Sequence, residues 1–203
     1  MAATAAPYGL RPVNLIGGQP YAGSTRMIPI SSAFGSNVFY GQPVGVASGV
    51  LTAANMATST GANGAVGVFV GCTYTDPNLK YKVFRQYWPT GTVASDALAY
   101  VVDDPDVVMQ IQHASSVAAT AIGLNVAMTT TTGGSTTTGN STLSATGSPA
   151  ATATLPLRIV GFVDGPDSAV GDNATDILVK WNAPNVTGQT INGGHAYFNP
   201  LGV

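Results

Sequence analysis

A chain of 203 residues with seven Lys and Arg, nine Asp and no Glu has room for one β-rich domain or two small ones around a sizeable core. Charged residues make up 8%, against roughly a quarter in an ordinary soluble domain, and the seven cations, spread between positions 11 and 180, read as no stripe or cluster. That excludes a nucleic-acid binder working through many phosphate contacts. Mean hydropathy is +0.24, yet the longest apolar runs, such as residues 65–72, fall far short of the ~18 residues that span a bilayer, so no membrane partner is expected.

Residues 1–20 hold Pro7, Gly9, Pro12, Gly17, Gly18 and Pro20, too closely spaced for a regular element. They also hold Tyr8, Leu10, Val13, Leu15 and Ile16, too apolar for an idle tail. The segment reads as an extended arm that docks on something. Its first seven residues have no cationic region followed by an apolar core, so they do not read as a secretory signal, and a cytoplasmic product is expected.

Residues 21–182 read as one β-rich domain. Strands are predicted near residues 26–30, 43–47, 65–73, 81–87 and 97–102. Val107, Met109 and Ile111 then alternate with Val108, Gln110 and Gln112. A short helix is predicted over 116–122, capped by Ser116 and ended by Gly123. Residues 129–153 are Thr-, Gly- and Ser-rich, and are expected to form a solvent-facing loop or a hairpin around Gly139 and Asn140. Leu155, Leu157, Ile159 and Val163 fall on one strand face, with Arg158 and Asp164 on the other. Ile177, Val179 and Trp181 alternate with Leu178 and Lys180. Turn chemistry separates the strands at Asp76-Pro77-Asn78, Asp103-Asp104-Pro105-Asp106 and Gly165-Pro166-Asp167. Residues 183–203 form a second extended tail, in which Gly193 and Gly194 precede His195, Tyr197 and Phe198. Many short strands between Gly/Pro turns predict an all-β sandwich or barrel-like domain with at most one short helix.

No motif for nucleophilic, phosphate-binding, dinucleotide or zinc chemistry occurs. The lone Cys72 sits in an apolar run and reads as a small buried hydrophobe. His113 and His195 are too few and too distant to read as a zinc site. The acidic run at positions 103–106 lacks the spacing of a calcium loop and reads as an acidic turn. No catalytic residue, cofactor or metal ligand is assigned, and no enzymatic activity is expected.

The opening Ala6-Pro7-Tyr8-Gly9-Leu10-Arg11-Pro12-Val13, followed by Gly17-Gly18-Gln19-Pro20-Tyr21, resembles the start of a family of tailed-bacteriophage head proteins. The resemblance continues through residues 100–112, 122–125 and 157–160, then the Pro166-Asp167 turn and the Leu178-Val179-Lys180 strand, to about residue 182. It implies a capsid decoration (cement) protein, often a homotrimer, on the outer capsid surface of a virion made in the bacterial cytoplasm. The implied partners are copies of itself and the phage major capsid protein. The fold is left open between jelly-roll-like, a simpler sandwich and lambda-decoration-like. Tyr8, Leu10, Arg11, Ile16, Tyr21, Tyr197 and Phe198 are the candidate capsid or subunit contacts. A tail, fibre or host-surface-binding component is the alternative. The major capsid protein itself is set aside, because its fold needs a longer chain and a long spine helix. A surface this poor in charge is poorly protected against association, which agrees with a subunit covered by its neighbours.

Overall fold

The computed structural model describes residues 4–54, 65–129, 133–153, 155–163, 165 and 167–182, with the backbone alone of 185–187 and 190–192. Within them the chain is all-β, built on two six-stranded antiparallel sheets. The first runs in the order β1 (Arg11–Leu15), β8 (Val107–Gln112), β12 (Asp176–Trp181), β11 (Leu157–Phe162), β9 (Asn125–Met128) and β10 (Ala145–Ala150). The second runs β2 (Arg26–Pro29), β7 (Leu98–Val102), β5 (Gly67–Thr75), β3 (Gln42–Ala47) and β4 (Val50–Ala53), with β6 (Lys82–Arg85) on the second half of β5. A small hairpin joins β13 (Asn185–Thr187) to β14 (Thr190–Asn192). The edge strands β2 and β4 approach each other, so the second sheet curls without closing.

Alternation places the cores. Val107, Met109 and Ile111 of β8, Leu157 and Ile159 of β11, and Ile177, Val179 and Trp181 of β12 line the first core. Phe69, Cys72 and Tyr74 of β5, Ala99 and Val101 of β7, Val44 and Leu51 line the second, closed by Trp88, Val38 and Ile30. Val68 and Val102 point the opposite way from their neighbours Phe69 and Val101, and join the first core. One sheet therefore contributes to both cores.

Register shifts interrupt four of the described strands, β1, β5, β10 and β11. In β5 the register steps from Phe69↔Val101 to Gly71↔Tyr100, leaving Val70 as the extra residue and Gly71 at φ +147°. The inward positions change from odd to even, so Phe69, Cys72 and Tyr74 share one core. Similar shifts occur at Val13 in β1 and Val160 in β11.

The short helix expected over 116–122 is a single 3-10 turn, Ala119–Ala121. Ser116 does not cap it; its hydroxyl donates to the Gly171 carbonyl at 2.6 Å. In the Thr-rich stretch Gly134 bridges Ser141 antiparallel, giving the short hairpin expected around Gly139 and Asn140, and the stretch is only partly solvent-facing. Residues 136–138 are exposed, but Ser141, Leu143, Ser144 and Ala145 are buried, and the segment runs into β10. Gly134 lies flat on the Phe39 ring, where a Cβ would come within 2.2 Å. Tyr40 N–H donates to the Gly139 carbonyl and Ser141 N–H to the Tyr40 carbonyl, tying this loop to the second sheet.

Candidate functional site

The N-terminal residues do not reach away from the body. Ala6 N–H donates to Gln112 Oε1 at 2.7 Å, and Gln112 Nε2 donates to the Thr4 carbonyl at 3.1 Å. Tyr8 Oη donates to Asp176 Oδ1 at 3.0 Å, and Gln110 Nε2 donates to the other carboxylate oxygen at 3.0 Å. Burial, then the Asp176 charge, pushes the Tyr8 phenol well above its ordinary value. The Arg11 guanidinium stacks 4.1 Å from the centre of the Tyr8 ring. Leu10 is fully buried in the first core, its N–H donating to the Gly41 carbonyl at 2.8 Å, while Gly9 N–H donates to Leu143. Residues 4–15 are thus part of the fold, with β1 paired to β8.

The candidate contacts differ in how much surface they leave exposed. Leu10 has no surface left for a partner, because both sheets close over it. Tyr8 is half-buried against Asp176, and Arg11, though exposed, is held over Tyr8. Tyr21 is half-buried against the first core, its hydroxyl donating to the Ser24 carbonyl. Burial, reinforced by Tyr40, Asp103 and Asp104, raises its phenol. Ile16 remains about half exposed, its N–H donating to the Asp106 carbonyl. Tyr197 and Phe198 lie outside the described residues.

Some of the exposed apolar side chains lie at the two ends of the β5–β7 pair. At one end Ile16 flanks the turn at 103–106, its N–H donating to the Asp106 carbonyl, and there Asp104 Oδ1 accepts from Asp106 N–H, Arg26 pairs with Asp103 and Lys180 with Asp106 at 2.7 Å. At the other end the β5–β6 turn presents Leu79 and Tyr81, and β6 presents Phe84, which is 72% exposed. The turn and β6 together carry Lys80, Lys82 and Arg85, a cluster that reading the seven cations as scattered had missed. The Asp76 carboxylate accepts from the N–H groups of Asn78 and Leu79, and these, with Arg85, hold it below the usual carboxylate range.

Beside Phe84 an open cleft of about 490 Å3 is walled by Tyr40, Val70, Tyr100, Arg85 and Gln86. Gln86 is engaged, donating to Asn140 Oδ1 at 2.6 Å. Cys72 borders the cleft from within the core, and burial raises its thiol to about 12. A protonated thiol of this kind is a poor nucleophile and a poor metal ligand. Among the described residues no group of three His, Cys or Asp side chains could hold a metal ion, and no helix is long and apolar enough to cross a membrane. The arrangement offers recognition surfaces. Comparisons with known protein families, with characterised proteins and with solved structures return no match.

Proposed function

We propose that this chain is a non-enzymatic structural protein of a phage virion, which seats on the outside of the capsid shell as an oligomer, expected to be a trimer, and stabilises it. The observation that carries this reading is the surface. Val13, Ile16, Met27, Tyr81, Phe84 and Val93 are 44–72% exposed on a β body whose whole sequence holds 16 charged side chains. Such a surface associates readily in water and is best explained by contacts repeated over a lattice. Repetition lets each weak contact gain from avidity. The resemblance of the N-terminal motif to tailed-phage head proteins supports the same reading. That motif's Gly9 and Leu10 lock the two sheets together, so the shell contact is assigned to exposed residues outside it.

The test is co-sedimentation of the purified chain with heads of the phage that encodes it, prepared without this protein. Saturable binding at a copy number that follows the shell lattice, with a rise in the heads' thermal stability, is expected. A count matching a tail or fibre would favour the alternative component. Absence of binding would sink the capsid reading.

A further inference from the structure

The two exposed apolar patches carry opposite charge and lie at opposite ends of one strand pair. β5 and β7 run antiparallel, with Val68 opposite Val102 and Thr73 opposite Leu98. The acidic turn that follows Val102 therefore sits at the N-terminal end of β5, and the Lys80–Arg85 turn at its C-terminal end. Nine strand residues separate them by roughly 25 Å. At that distance exposed charges are screened from one another within a single molecule.

The local balances differ in sign. At the acidic end Asp103, Asp104 and Asp106 face Arg26 and Lys180, one negative charge in excess. At the basic end Lys80, Lys82 and Arg85 face Asp76 and Asp96, one positive charge in excess. Asp76 is already paired with Arg85 at 3.3 Å, and both Asp96 oxygens accept from Thr75, with Lys82 close enough to help hold that carboxyl low. Lys80 and Lys82 make no ion pair among the described residues and are exposed. Each patch has an exposed apolar side chain beside its charges, Ile16 at one end and Tyr81 and Phe84 at the other.

We propose that these two patches meet between copies of this chain, the Lys80–Arg85 turn of one subunit packing on the 103–106 turn of the next. The occupant is a second copy because the complement of each patch, in charge and in apolar character, is present on the chain itself. Such a contact joins two different surfaces, so it repeats head to tail and closes into a ring where the rotation allows. Symmetric antiparallel pairing of two β6 edges along their full length is disfavoured, because that register sets Lys82 opposite Arg85 of the other copy. The inference rests on the reading of the chain as an oligomer and names the faces that form it.

The experiment is sedimentation equilibrium of the full chain, with head binding measured in parallel. Lys82→Glu and Asp106→Lys are each expected to weaken self-association at least about tenfold, and the chain carrying both to recover most of it. Phe84→Ser, which leaves every charge in place, is expected to weaken association without changing its salt dependence. Thermal melts check that each variant is folded. The proposal is overturned if the wild-type chain is monomeric, if both charge reversals keep wild-type affinity, or if the double variant is no better than the single ones. A charge-reversed variant that no longer self-associates yet still binds heads would support this interface and leave the shell contact standing. Loss of head binding by a variant that still self-associates would count against the interface as the functional one.

Discussion

A methyl group at position 9 would lie 2.6 Å from the Gly41 carbonyl oxygen and 2.9 Å from the Ser141 Cβ, on a backbone at φ +77°. Both the left-handed conformation and the close approach demand glycine. Gly9→Ala is expected to cost roughly 2–5 kcal/mol, the sum of backbone strain and overpacking. Gly17→Ala, with nothing within 4 Å of the added carbon, is the control and should stay within about 0.5 kcal/mol. Urea midpoints of the two variants decide this. Cys72 gives a second test at the same scale. Burial raises its thiol from an ordinary 9.0 to about 12 in the core. The raised folded value means that the stabilisation is complete below pH 9 and is lost as pH rises toward 12. Over that window stability should fall by about 1.4 kcal/mol per pH unit from this group alone. Cys72→Ala should flatten the wild-type slope of stability against pH above 9, and alkylation of the native thiol near neutrality should be slow. An unchanged slope, or rapid alkylation of the folded chain, would contradict the burial.

The N-terminal segment changes meaning at the scale of elements. Removing residues 1–5 forfeits the Thr4 contact to Gln112 and should cost about 1 kcal/mol, leaving a folded chain. Removing residues 1–15 strips β1 from β8 and Leu10 from the core, and leaves the β8 edge open to pairing with other chains. That truncation is expected to lose the urea transition or to aggregate, and soluble yield with a urea titration reads the outcome. Reading these residues as an extended docking arm outside the β domain followed from the closely spaced Pro and Gly residues, but an edge strand tolerates proline, because an outward-facing position needs no ladder N–H. The interior strands β8, β11 and β12 were legible from alternation, since each buries one face. β10, with Gly147 and Pro149, has no such pattern and is placed by pairing with β9. β4 was hidden behind the tight Ser48-Gly49 turn, both residues at positive φ, a hairpin signal that the sequence does contain. The Val70 bulge puts Phe69 and Tyr74, five residues apart, in the same core, which strict alternation forbids. The candidate surface was less legible, because exposure at Phe84 and the opposite placement of the two turns depend on strand pairing.

Two tryptophans, one in each core, report on the molecule as a whole. Trp181 is buried in the first core and Trp88 in the second, where Tyr74 packs edge-on at 5.1 Å between ring centres. The sheets share more than a boundary. Val68 and Val102 leave the second sheet to fill the first core, and Leu10 fills that same core while its N–H is held by Gly41 beside β3. Loss of either sheet would expose apolar surface of the other, so the chain should unfold as one cooperative unit. Trp88→Phe leaves Trp181 as the reporter of the first core; it also removes an indole N–H that finds no acceptor among the described residues, which keeps its cost low. Trp181→Phe leaves Trp88 as the reporter of the second. Within each variant the fluorescence and far-ultraviolet transitions should coincide in urea. Adding Leu10→Ala should lower stability by a similar roughly 2–5 kcal/mol in both, although Leu10 is assigned to the first core alone. If only the Trp181 signal moved, or either signal separated from the backbone transition, the two sheets would be independent domains and the interlock through Leu10, Val68 and Val102 would carry no coupling.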